Sequence, residues 1–78
     1  MNTGTRLIIV AGNMRQADTW RRERGLSPTE APYACHVSHV LGMAPGTKFV
    51  RIGTWYDKRE NIETLAALAQ RGYEEITV

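Results

Sequence analysis

The sequence predicts an α/β fold: one small layered domain on a mostly parallel sheet of three to four strands, in the order β-α-β-turn-β-α-β. Three observations carry this. Leu7 to Val10 is a continuous rather than alternating apolar run, the pattern of a strand covered on both faces. Residues 48–56, KFVRIGTWY, form a second β-rich run. Each run is followed by a segment with helix start and stop signals, and alternating strands and helices give a layered fold with a parallel sheet. A chain of 78 residues makes a single domain, 1–78.

Gly12 ends the first strand, and Asn13 is a good helix N-cap because its side chain can accept from a first-turn N–H. Gln16 falls at the third helical position and completes a capping box. The helix runs from Met14 to Arg24, and Gly25 stops it with Leu26 folding back. Met14, Ala17, Arg21 and Arg24 share its packing face, with Trp20 at the margin. The arginine stems are expected to cover apolar surface while their guanidinium groups stay wet. Ser27, Pro28 and Glu30 fit one capped turn that Pro32 ends. Residues 33–38 alternate and read as a short strand, Ser38 caps a brief turn over 39–41, and Pro45-Gly46 marks a loop.

After the 48–56 strand, Asp57 and Glu60 have capping-box spacing. The helix they open carries Ile62, Leu65, Ala66, Leu68 and Ala69 as an apolar stripe and stops at Gly72. Residues 74–78 add a last edge strand, read as the one element able to run antiparallel. Right-handed crossovers place the strands at 6–11 and 48–56 side by side in the centre, with 33–38 outside the first and the tail on the other edge.

Composition is that of an ordinary globule, 42% hydrophobic and 23% charged. Net charge is +2, but residues 1–59 hold nine Lys or Arg against four Asp or Glu, and residues 60–78 hold one against four. The basic part suits nucleic acid, the acidic end of a neighbouring copy, or plain solvation. The longest apolar run is too short to span a bilayer, and MNTGTR has no signal-peptide pattern. One cysteine, Cys35, excludes an intrachain disulfide, so the expected setting is a reducing cytoplasm. A chain this short is marginally stable alone, which makes a homodimer one natural outcome.

No phosphate-loop motif follows Gly12: a second glycine and a Lys-Ser or Lys-Thr pair are missing, as is GxGxxG. Position says more than motif, because open parallel sheets bind ligands beyond the C-terminal ends of their strands. That rim is predicted to hold Gly12 and Asn13 from one strand and Gly53, Thr54, Trp55, Tyr56 and Asp57 from the other. It can stack and hydrogen-bond a base, or bury its aromatics in a core or dimer seam. Arg6, Arg15, Arg22 and Arg51 are candidate phosphate contacts, against the simpler role of solubility and ion pairing. Cys35, His36 and His39 have ligand chemistry, but strand alternation turns Cys35 and His36 to opposite faces, and too few further ligands exist for a structural zinc. Cys35 with His39 as base, or Asp57, would be the reactive group of an enzyme. Nothing else supports one, and Glu60 with Glu63 or Glu74 with Glu75 makes no general acid–base pair. The reading therefore carries no catalytic residue, no metal and no cofactor.

The stretches VAGNMRQA…RGL and FVRIGTWYD resemble short uncharacterised proteins of actinobacterial bacteriophages, over most of the chain. The resemblance implies a phage-encoded protein acting in the host cytoplasm and transfers no catalytic residue. More loosely, strand-turn-helix followed by strand-helix is similar to a piece of a Rossmann-like domain without its phosphate-binding loop. The expectation is a small non-enzymatic binding or regulatory protein. Its partner would be a host or phage protein or a second copy, with no membrane. The alternative is a nucleotide- or nucleic-acid-binding module using the same strand ends.

Overall fold

Strands β1 (Leu7–Val10) and β2 (Lys48–Arg51) run parallel and adjacent, with Leu7 opposite Lys48 and Val10 opposite Arg51. The structure is a computed structural model and describes residues 7–34 and 46–76. β3 (Glu74–Glu75) pairs with the far side of β2, also parallel. On the far side of β1, Tyr33 makes a single parallel bridge to Ile9, tied by Ile9 N–H to Pro32 O and Ala34 N–H to Ile9 O, both at 2.9 Å. The tail is thus parallel, not antiparallel: a helix returns the chain to the strand's starting end, so the next strand repeats its direction. Of the predicted strand at 33–38, Tyr33 forms this bridge, and residues 35–38 lie outside the described residues, as does the turn at 39–41.

The apolar run of β1 is continuous because both its faces are covered. Ile8, Val10 and Phe49 cluster with Leu68, Leu65 and Ala67 of α2 (Arg59–Gln70). Ile9, Ala11, Val50 and Ile52 cluster with Ala17 and Trp20 of α1 (Met14–Arg24). The sheet is therefore sandwiched between one helix on each face.

Helix α1 has the predicted ends. Asn13 is extended and accepts from Gln16 N–H at 2.9 Å; Gly25 is left-handed at φ +67°, and Leu26 N–H returns to Arg21 O at 2.9 Å. Arg21, Arg22 and Arg24 in its last turn suit the negative end of the helix dipole. The capped turn after it is reciprocal: Ser27 N–H donates to Glu30 Oε1 at 2.8 Å and Glu30 N–H to Ser27 Oγ at 3.1 Å.

The packing face of α1 differs from expectation. Arg21 is buried together with its guanidinium, which donates from Nη1 to Ala31 O at 2.8 Å and from Nη2 to Asp18. Burial is tolerated because both ends of the fork find acceptors. Arg24 stays exposed and stacks over Trp20 at 4.1 Å, and Met14 is exposed rather than packed. Arg21→Met keeps the stem and removes the donors, leaving the buried Ala31 carbonyl unpaired; urea unfolding is expected to show a loss of about 2 kcal/mol.

Two further expectations need correction. β2 ends at Arg51 rather than at residue 56, because Gly53 turns the backbone left-handed at φ +58° and Trp55–Asp57 closes a 3-10 turn. Asp57 therefore sits inside that turn, and Lys58 opens α2 without a side-chain cap. The buried face of α2 is Asn61, Thr64 and Leu68, while Ile62, Ala66 and Ala69 point to solvent. Thr64 hides its hydroxyl on Glu60 O at 2.8 Å, so it is buried without an unmet bond. Gly72, left-handed at φ +77°, ends the helix as expected. Among the described residues, no helix is long and apolar enough to cross a membrane.

Candidate site at the strand ends

The C-terminal ends of β1 and β2 meet at one rim, because Ile52 N–H extends the ladder to Val10 O at 2.9 Å. Gly12 follows one strand and Gly53 and Thr54 the other. They come so close that a Cβ on Gly12 would lie 2.0 Å from Thr54 Oγ1 and 2.9 Å from Thr54 O. The predicted rim residues Gly12, Gly53 and Thr54 are thus brought together.

Gln16, from the first turn of α1, bridges them. Its Oε1 accepts from Gly12 N–H at 2.7 Å and from Thr54 N–H at 3.1 Å, and its Nε2 donates to Thr54 Oγ1 at 2.9 Å. A capping-box side chain ordinarily returns to the N-cap N–H. Here it reaches one residue further back and also across to the second strand. Asn61 makes a second tie below the rim. Fully buried, it donates from Nδ2 to Ala11 O and to Trp55 O, each at 2.8 Å. Its Oδ1 is buried and without a partner.

The other predicted residues divide. Asn13 spends its side chain on the helix cap. Trp55 is half-buried, packs on the α2 side of the core, meets Tyr56 edge-on at 5.6 Å and lies under the Arg51 guanidinium at 4.8 Å. Its faces are thus largely engaged within the chain. Tyr56 is 61% exposed, and Asp57 is exposed beside it. Arg51 grips Glu75 with two bonds, Nε to Oε2 at 2.6 Å and Nη2 to Oε1 at 2.9 Å, so an incoming phosphate would compete with a carboxylate. Arg15 and Arg22 are exposed on α1. Arg6, Cys35, His36 and His39 lie outside the described residues.

Beside the rim a groove of about 320 Å³ opens between α1 and the end of β2. Trp20 and Ile52 give it apolar walls, Gln16 and Gly53 join it to the rim, and Arg15, Thr19 and Glu23 complete it. The Trp20 Nε1 is buried and has no hydrogen-bond partner. Sequence reading missed Gln16 as a bridge, Asn61 as a clamp and Trp20 as a wall. The one local signal was the Asn61, Thr64, Leu68 spacing, which places polar residues on the same helix face as a leucine.

The large apolar side chains exposed among the described residues are Met14 at 55%, Tyr56 at 61% and Ile62 at 49%. Met14 opens α1, Tyr56 sits in the turn after β2 and Ile62 is in the opening turns of α2. All three therefore belong to the end of the molecule where the strands finish and the helices start. Set against known protein families, curated proteins and solved structures, the chain matches none.

Proposed function

We propose that this chain is a small binding and regulatory protein, phage-encoded and working in the host cytoplasm, that acts through protein–protein contacts at the strand-end rim. The observation that carries the reading is the exposure of Met14 and Tyr56 at one edge of the sheet. Large apolar side chains gathered at one place on a small domain mark an interaction surface, whereas single scattered ones do not. Arg15 and Arg22, exposed on the adjoining helix, supply a polar rim of the kind such contacts use.

The test is affinity capture from nuclease-treated actinobacterial lysate, comparing the natural chain with a Met14→Ser/Tyr56→Ser variant. The expected result is one protein retained in stoichiometric amount by the natural chain and lost by the variant. The variant's stability should stay within about 0.5 kcal/mol, since both sites are exposed. A second copy is covered by the same comparison: light scattering then gives twice the chain mass for the natural protein and the single mass for the variant. Capture abolished by nuclease would move the reading to a nucleic-acid module, and capture indifferent to the two substitutions would remove the rim from it.

A further inference from the structure

We propose that the groove beside α1 and the Gln16 bridge form one binding site, for a phosphate monoester with a flat apolar body, held closed by the Gln16 carboxamide. The inference is independent of the protein–protein reading. It starts from the oxygen of Gln16. Backbone N–H groups from two different strand ends, Gly12 at 2.7 Å and Thr54 at 3.1 Å, converge on that single atom. Successive backbone donors around one acceptor make the environment in which proteins hold phosphate oxygens, and a charged oxygen binds such donors more strongly than a neutral amide does. The backbone is bare where the oxygen sits. A Cβ on Gly12 would come 2.8 Å from it, and one on Gly53 only 2.3 Å.

The groove supplies the rest of the ligand's environment. Its volume, about 320 Å³, falls at the lower end of small-molecule sites. It shares Gln16 and Gly53 with the amide cradle, so a ligand bound through its phosphate at the cradle extends directly along the Trp20 and Ile52 walls. The Trp20 Nε1, buried and unpartnered, is a donor waiting beneath that wall. Charge orders the ligand within the groove. Arg15 lies at the cradle end of α1 and favours the phosphate, while Glu23, two turns on, repels it and leaves that end to the apolar body.

Opening needs only side-chain rotation. The Gln16 backbone N–H is held by Asn13, so α1 stays capped when the carboxamide swings out. Thr54 Oγ1, which accepts from Gln16 Nε2 in the closed form, then turns its hydroxyl to donate to the phosphate. Closure by Gln16 lowers apparent affinity by the fraction of molecules that are open, so removing the carboxamide must tighten binding.

Phenyl phosphate is the probe, titrated into the labelled full chain and followed by amide and indole N–H resonances. Gln16→Ala is expected to bind about tenfold or more tightly than the natural chain. Shifts should centre on the Gly12 and Thr54 amides and the Trp20 indole. Inorganic phosphate should move the two amides alone, and phenol the indole alone, each more weakly. Gln16→Glu, which fixes a carboxylate oxygen in the cradle, should not bind. Should Gln16→Ala fail to fold, the natural chain still decides: phenyl phosphate must shift the Gln16 side-chain amide together with Gly12. The proposal is overturned if neither protein gives saturable shifts at Gly12 and Thr54. It is equally overturned if Gln16→Ala and the natural chain bind alike, or if Gln16→Glu binds as well as either.

Discussion

Gly12→Ala is expected to bring the domain close to unfolding. The added methyl would stand 2.0 Å from Thr54 Oγ1, 2.8 Å from Gln16 Oε1 and 2.9 Å from Thr54 O. The hydroxyl and the carboxamide can rotate away. The Thr54 carbonyl cannot, because it belongs to the chain that continues the β1–β2 ladder through Ile52 N–H to Val10 O. Making room therefore removes the three Gln16 hydrogen bonds, leaves the Gly12 and Thr54 amides unpaired, and pulls the strand ends apart. At about 1–3 kcal/mol for each buried group left unsatisfied, the loss is about 3–5 kcal/mol. A 78-residue domain has about 4–12 kcal/mol in total. Urea unfolding followed by tryptophan fluorescence measures it. Thr54→Ala in the same chain should recover part of the loss by removing the nearest atom. Gly25→Ala is the contrast, since a Cβ there meets nothing within 4 Å and only its left-handed backbone is strained. A Gly12→Ala chain within about 1 kcal/mol of the natural one would mean the two strand ends are not in contact.

These close approaches explain which parts of the fold could be read locally. β1 was legible because burial on two faces leaves a continuous apolar run, and α1 because Asn13 and Gly25 do their capping chemistry within a few residues. The parallel central pair followed from the alternation of strands and helices. The end of β2 was not legible. RIGTWY stays rich in β-forming residues through Tyr56, and what stops the strand is the turn at Gly53, whose missing Cβ leaves room for Gln16. Gln16 itself carries a correct local signal, a capping-box position, but its partner Thr54 lies 38 residues away. The face of α2 was misread for a related reason. Hydropathy puts Ile62, Ala66 and Ala69 inside and Asn61 outside, yet the carbonyls of Ala11 and Trp55 need a donor, and Asn61 brings one. Arg21 is buried on the same logic, its fork answering the Ala31 carbonyl. In each case a polar residue is inside because a strand or loop end leaves acceptors there, a demand that no periodicity in the helix records. The rim shows the same division, since Gly12, Gly53 and Thr54 follow from strand ends while Asn61 follows from the acceptors beneath them.

The strongest test of that argument is Asn61→Asp, which changes one group without changing shape. Asn61 is fully buried and donates to two carbonyl oxygens at 2.8 Å, while its own Oδ1 has no partner. An aspartate there is an acceptor facing acceptors when ionised, and burial without a cation disfavours the charge. Its pKa in the folded chain must therefore rise above the ordinary value of about 3.9. Below that ordinary value the acid is protonated in both states and can still donate one of the two bonds, so the loss there is about that of one buried hydrogen bond. As pH rises further, the unfolded chain releases the proton while the folded chain keeps it. Fewer protons on the unfolded state mean that stability falls with pH, by about 1.4 kcal/mol per unit, until the folded group ionises or the domain unfolds. The variant should thus be folded near pH 4 and unfolded or nearly so at pH 7. Asn61→Ala, by contrast, should show a constant loss of about 2–3 kcal/mol relative to the natural chain, from the two unpaired carbonyls and the small cavity. Urea midpoints at the two pH values separate them. Equal midpoints for Asn61→Asp would mean that the side chain is solvated, and the clamp joining β1 to the Trp55 turn would have to be abandoned.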